Sequence, residues 1–485
     1  MSRRWRLALA GAVLLPTAAA AHGFGQLYTL PVPLWLYGWA AAATLIVSFL
    51  VAGLFLSSTP KPGEPGALEL GGLQRLRTLL PLLRGLAVFI LLLCIVTGFF
   101  GHRDPLRNFS LTFFWVIFVL LFTYLTALLG DFYAALNPWR TLADAIDRAW
   151  RGFARGRVTY PAWLADWPAL LLYMGFIGFE LFGSGRGHSL AVALSAYTLL
   201  NLVGVWYVGA RAWFRHGELF SVFFRLVALM APLAYRRGKG SGRGRLMLRW
   251  PFAGLISERP AHISTVAFAL AMLSTTAFDG LTATQAWAML FWGDPTGWMT
   301  QWYGVRPINA IASFMPWYRA WEMLCLFVSP LVYLGLYLLT IRAARRLAGS
   351  SRSVRELALD FGFTLLPIAF VYHLTHYATL ILSHGLKIIS LASDPFGWKW
   401  NLFGTLHSFR APILPDMGVV WHAQVGLILF GHVVSVWLAH RIALRAFGSR
   451  RRALLSQLPM LALMIAFTVA GLWILAQPLT DLRFL

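Results

Sequence analysis

Apolar runs separated by short arginine-rich segments dominate the chain, and many reach the ~20 residues a helix needs to cross a bilayer. The pattern predicts ten spans, at 33–56, 82–100, 109–129, 166–183, 189–209, 262–280, 320–341, 361–385, 419–440 and 457–477. A bilayer leaves no water for unpaired backbone groups, so the fold class is an all-α polytopic membrane protein. Arginines concentrate at Arg140 to Arg157, Arg236 to Arg249, Arg342 to Arg355 and Arg441 to Arg452. Positive charge stays inside, which makes these segments cytoplasmic and places the mature N-terminus and the C-terminus on the periplasmic side. The stretch from Leu219 to Tyr235 is apolar but broken by Arg225 and Pro232, and it reads as an amphipathic helix lying on the cytoplasmic leaflet. Arg140 to Arg155 reads as a second one.

The N-terminus differs from the spans. Arg3, Arg4 and Arg6 precede an apolar run from Leu7 to Leu15, and Ala19 and Ala21 satisfy the small-x-small rule of a secretory cleavage site. Residues 1–21 are then a signal peptide, residues 22–485 form one transmembrane domain, and His22 becomes the first mature residue. An N-terminal histidine chelates through its amine and its ring together, an arrangement suited to copper. The alternative is an uncut first helix, or a cut at a neighbouring alanine.

Composition agrees. The 485 residues are 59% hydrophobic and only 12% charged. The net charge of +23 comes from 41 Lys and Arg against 18 Asp and Glu. Because the basic residues are sorted to one side, the charge is a topology signal and not a nucleic-acid footprint. Cys94 and Cys325 lie inside apolar runs and read as small core residues, with no disulfide framework. Trp287, Trp292, Trp298, Trp302, Trp317, Trp398, Trp400 and Trp421 cluster in or beside outer loops, as an interfacial aromatic belt would.

One internal echo stands out. Asp294-Pro295-Thr296-Gly297-Trp298 returns as Asp394-Pro395-Phe396-Gly397-Trp398, and each copy is followed by an aromatic-Gly pair. The spacing suits a type I turn, and the surrounding hairpins, 262–341 and 361–440, read as a weak parallel repeat. Two independent good turns would look the same.

Seven of the twelve histidines fall between His373 and His440. Imidazoles in hydrocarbon must find a partner, a proton path or a metal. Helical spacing predicts a middle cluster of His373, His376 and His432, and an outer cluster of His384, His407 and His422 that His22 can join. Either set would hold a divalent transition metal, copper or zinc; facing histidines at one depth would instead ligate haem b. Each histidine taken singly reads as an interhelical hydrogen-bond partner. Asp279, Glu322 and Asp416 are the carboxylates placed to support the site, with Glu322 within reach of Arg319. No nucleophile elbow, phosphate loop or dinucleotide fingerprint is present.

Several stretches resemble bacterial inner-membrane proteins labelled fenitrothion hydrolase. They are Ala21-His22-Gly23-Phe24-Gly25-Gln26, Gly130-Asp131-Phe132-Tyr133 with Asn137-Pro138-Trp139-Arg140, Ser390 to Pro395, and Val425 through His432 to His440. The resemblance implies hydrolysis of organophosphorus triesters in the bacterial inner membrane, with a second membrane subunit as a partner, and it bears most on His22, His376 and His432. In that reading a histidine-held metal activates water against an apolar substrate drawn from the lipid bilayer. Two other readings remain open at this point: a copper-handling membrane protein using His22 and the intramembrane histidines, and a b-type haem electron-transfer protein.

Overall fold

The computed structural model describes residues 30–55, 68–72, 74–236, 245–409, 413 and 415–477. The expected signal peptide and His22 lie outside the described residues. In chain order the helices used below are α1 (Leu34–Phe55), α2 (Gln74–Phe100), α3 (Phe109–Leu129), α4 (Pro138–Ala149), α5 (Trp167–Phe182) and α6 (Gly187–Val208). They continue with α7 (Leu219–Ala228), α8 (Ile263–Thr282), α9 (Ile311–Leu347), α10 (Val354–Gly385), α11 (Met417–Phe447) and α12 (Arg450–Ala476).

Among the described residues, nine helices are long and apolar enough to cross a membrane. They are all of these except α4, α5 and α7, so the chain is a multi-pass membrane protein. The expected span at 166–183 appears as α5, an apolar helix of 16 residues. The expected span at 320–341 is the middle of α9, whose 37 residues run on through Pro316 and Pro330. At 1.5 Å per residue that is about 55 Å, so α9 projects beyond the hydrocarbon layer.

Helix α7 departs from the expected surface helix. Eight of its ten residues are buried. Phe220 stacks on Trp139 at 5.8 Å between ring centroids and meets Phe118 at 4.9 Å and Phe176 at 5.6 Å. Aromatic side chains around most of its circumference give it partners in α3, α4 and α5, where a leaflet-bound helix would keep one polar face in water. Two strands that follow α7, β2 (Leu233–Arg236) and β3 (Arg245–Leu248), join β1 (Leu68–Gly72) from the segment between α1 and α2 in a small antiparallel sheet ordered β1–β3–β2.

Two helices define the extremes of the bundle. α2 exposes Leu82, Leu86, Phe89 and Leu92, as a lipid-facing helix does. In α8, 17 of 20 residues are buried. Ala267, Ala269, Ala271, Ser274, Thr275 and Gly280 keep its surface small, so α5, α9 and α10 approach closely. Arginine-rich segments flank several of the helices. At the start of α12 the Arg450 guanidinium donates to the carbonyls of Gly53 and Leu54 and closes the end of α1.

Both Asp-Pro-x-Gly turns form. Gly297 N–H donates to the Asp294 carbonyl and Gly397 N–H to that of Asp394, with φ of +70° and +76° at the two glycines. The aspartate side chains accept from the backbone N–H groups that follow, Thr300 in one copy and Trp398 and Lys399 in the other. Of the expected aromatic belt, Trp298, Trp302, Trp317 and Trp398 are exposed, whereas Trp292 and Trp421 are buried.

Candidate functional site

The site is built where α10 crosses α8. Tyr372, His373, Thr375, His376 and Tyr377 follow one another along α10, and Asp279 comes from the last turns of α8. His376 Nε2 lies 2.8 Å from Asp279 Oδ2, and the Tyr377 hydroxyl donates to the same oxygen at 2.9 Å. Asp279 is buried and the His376 ring retains 17% of its exposure, so the pair is enclosed but not sealed. With the carboxylate ionised, Nε2–H is the donor and His376 Nδ1 carries the lone pair. Glycine at 280 makes room for that ring: a Cβ there would stand 3.6 Å from His376 Cε1, 3.8 Å from Nδ1 and 2.8 Å from Ile474 Cγ2.

His373 turns away from this pair. Its Nδ1 lies 3.3 Å from the Tyr124 hydroxyl on α3, and its ring sits 4.9 Å from that of Tyr377. It lines a cavity of about 20 Å³ together with Tyr377, Tyr173, Glu180, Thr275 and Thr276. That is room for about one water. Thr275 donates to the Ala271 carbonyl, so Tyr173 donates to Thr275 at 3.0 Å and the wall of the cavity is a directed chain of hydroxyls. Part of this wall comes from the ten-residue π-helical stretch Thr112–Leu121 of α3, which packs on a second π-helical turn, Ile381–Gly385, at the end of α10. Runs of this kind are rare and gather at functional sites.

His432 looks elsewhere again. Its Nδ1 is 2.8 Å from the Ile428 carbonyl. A carbonyl only accepts, so Nδ1 holds the proton and Nε2 presents a lone pair. That atom is buried and has no partner among the described residues. It opens on a cavity of about 40 Å³ lined also by Tyr333, Tyr372 and Thr468.

The middle cluster of His373, His376 and His432 is therefore not one centre: the rings serve three separate surroundings. Among the described residues no group of three or more His, Cys, Asp or Glu is placed to hold a metal ion. The two cavities have space for one to a few waters and none for a porphyrin. The outer cluster also separates. His422 donates through Nδ1 to the Gly418 carbonyl at 2.7 Å, which leaves Nε2 facing the Tyr37 hydroxyl at 3.4 Å. His384 sits in the π-helical turn, His407 is exposed in a loop, and His22 falls outside the described residues. Of the three supporting carboxylates, Asp279 meets a histidine of the expected set, His376, in a hydrogen bond. Asp416 caps α11 by accepting from Val419 N–H, and Glu322 accepts from the Trp287 indole at 3.3 Å.

Two carboxylate centres escaped the sequence reading. Asp166, just before α5, lies 2.7 Å from His216 Nδ1, 2.6 Å from Thr265 Oγ1 and 3.7 Å from the Arg225 guanidinium. Burial opposes its charge, but the bonds from His216 and Thr265 and the Arg225 charge outweigh that and hold the carboxyl below its usual range. Glu218 is completely buried at the start of α7. It accepts from the Tyr197 hydroxyl, Asn137 and the backbone N–H groups of Phe220 and Ser221. Burial dominates there and pushes the carboxyl up. The available signal was an acidic residue directly ahead of an apolar helix, the position of an N-cap.

No family model, no curated protein and no solved structure matches this chain.

Proposed function

We propose that this protein is a hydrolase of the bacterial inner membrane that uses His376 as a general base, oriented by Asp279, to activate water against apolar organophosphorus triesters drawn from the bilayer. The carrying observation is the 2.8 Å contact between His376 Nε2 and Asp279 Oδ2, with Tyr377 on the same oxygen. The carboxylate sets the tautomer, so His376 Nδ1 takes the proton from water as the new P–O bond forms. The bond from phosphorus to the aryl oxygen breaks, and the leaving aryloxide takes the proton back from the His376 imidazolium, giving a dialkyl phosphate and a phenol. Asp279 meanwhile stabilises the imidazolium. Enclosure by α8 and α10 strengthens these interactions by keeping bulk water out.

The described donors do not make a metal site, so each step is assigned to the chain's own acid–base groups. The family resemblance supports the substrate class, and the sorting of arginines supports a periplasmic position for the site.

The test is release of phenol from an aryl phosphotriester by purified protein in lipid nanodiscs, with D279N and H376N alongside. General acid–base catalysis contributes about 10²–10⁴-fold, and both variants are expected to lose turnover on that scale. Wild-type protein that releases no phenol, or variants as fast as wild type, would overturn the reading.

A further inference from the structure

The largest cavity described lies at the opposite end of the bundle from Asp279 and His376. It measures about 230 Å³ and is lined by Glu258, Arg259, Arg352, Asp360 and Arg445 among others. The three arginines come from three segments: the chain ahead of α8, the residues just before α10, and the last turn of α11. All three segments lie at ends of membrane-crossing helices, where a bilayer's headgroups would be.

The polar groups here are unequally satisfied. Asp360 takes both nearby guanidinium groups, Arg259 Nε at 2.8 Å and Arg352 at 2.6 Å. Arg259 also donates to the Glu356 carbonyl at 3.0 Å. Arg445 is exposed, and its described hydrogen bond goes to a neutral acceptor, the Ile256 carbonyl at 3.1 Å. Three guanidinium groups and two carboxylates line the cleft, and Arg352 also reaches the Glu356 carboxylate at 4.0 Å, which leaves Arg445 as the guanidinium whose described bond is to a neutral group. Each guanidinium has five N–H donors, so unused donors remain on all three, and Arg259 and Arg352 are partly exposed at 49% and 33%. A water occupies ~30 Å³ in the liquid, so the cleft has room for a group of several heavy atoms.

We propose that this cleft binds a phosphate group, with Arg445 as the principal charge and Arg259 and Arg352 as flanking donors. Planar guanidinium forks match phosphate oxygens in pairs, and basic pockets between helices at the headgroup level suit anionic lipid heads. A phosphodiester is a compact anion, and Arg445, bonded only to a neutral carbonyl among the described residues, is the charge it would meet. The source is a lipid headgroup or a free phosphate, and this proposal is independent of the catalytic reading.

The experiment measures thermal unfolding of the full chain in three settings: phosphatidylcholine nanodiscs, the same with added inorganic phosphate, and nanodiscs containing phosphatidylglycerol. R445Q and R445K accompany wild type. Stabilisation by phosphatidylglycerol alone identifies a lipid head, and stabilisation by inorganic phosphate identifies a free ion. In either case R445Q is expected to bind about ten-fold more weakly, R445K to keep part of the effect, and added salt to reduce it. No stabilisation by either source, or equal stabilisation of R445Q and wild type, overturns the proposal. R445Q changes an exposed side chain, and its unfolding in phosphatidylcholine alone reports whether it folds.

Discussion

A histidine meets an aspartate near each end of α8, and the two meetings differ in kind. At one end Asp166 is held by His216, by Thr265 of α8 itself and by the Arg225 guanidinium. The bonds from His216 and Thr265, with the Arg225 charge beside them, outweigh burial and keep that carboxylate charged, and it ties α5, α7 and α8 together. At the other end the bonds to Asp279 come from an imidazole and a phenol, groups that both give and take protons. On the proposed function, the same pair of residue types is a brace in one place and an acid–base centre in the other. The neighbours decide which, more than the pair does.

The largest expected effect breaks the comparison at the catalytic end. D279N keeps the shape of the side chain but loses the charge that orients His376, and turnover is expected to fall about 10²–10⁴-fold while the unfolding temperature changes little by comparison. The equivalent change at the brace, D166N, should do the reverse. It removes a buried charged acceptor and is expected to cost about 2–3 kcal/mol at neutral pH, read by chemical or thermal unfolding, with turnover near wild type. Should D166N abolish turnover and leave stability alone, the assignment of roles is inverted.

The brace also carries a pH signature. A carboxyl held below its usual range contributes stability that is complete above the unfolded value near pH ~4 and is lost as pH falls through the lower folded value. Wild type is therefore expected to lose stability on acidification more steeply than D166N, measured by unfolding from neutral pH down to about pH 3. Parallel curves would contradict it. G280A should act next in size. The new methyl would stand 2.8 Å from Ile474 Cγ2 and must displace it, at about 1–3 kcal/mol, with turnover lowered because the His376 ring shares that space. H216N is expected to have the smallest effect, within about 1 kcal/mol by the same unfolding measurement, since its ring is one-third exposed and Arg225 remains.

Much of the scaffold was legible because a bilayer imposes a length and a polarity on each crossing. The span expected at 262–280 is α8, and that at 361–385 is the greater part of α10. Helix α7 was not legible, since ten residues that are apolar apart from Ser221 and Arg225 fit a leaflet surface as well as a protein interior, and the aromatic rings of α3, α4 and α5 decide between them. The site shows a similar limit. His373 and His376 are three residues apart, which turns the second about 60° from the first on a helix of 3.6 residues per turn. On a helix facing one partner that angle keeps two rings together; on α10, packed against several, it sends one to Tyr124 and the other to Asp279. His373 and Tyr377, four apart and about 40° from each other, do stay in contact. Asp279 was visible only as one carboxylate near a helix end, because the residue that makes it matter lies 97 positions away.

Helix α8 has a further consequence, for how the chain enters the membrane. Of the nine crossing helices it has the lowest mean hydropathy, 1.3 against 2.7 for α2, and its serines, threonines and Asp279 are costly in lipid until neighbours enclose them. A segment so poor at partitioning alone depends on companions already standing in the bilayer, and α5 precedes it in synthesis while α9 and α10 follow. On the proposed function, the residue that orients the catalytic base also makes α8 the crossing helix that depends most on its neighbours for a place in the bilayer.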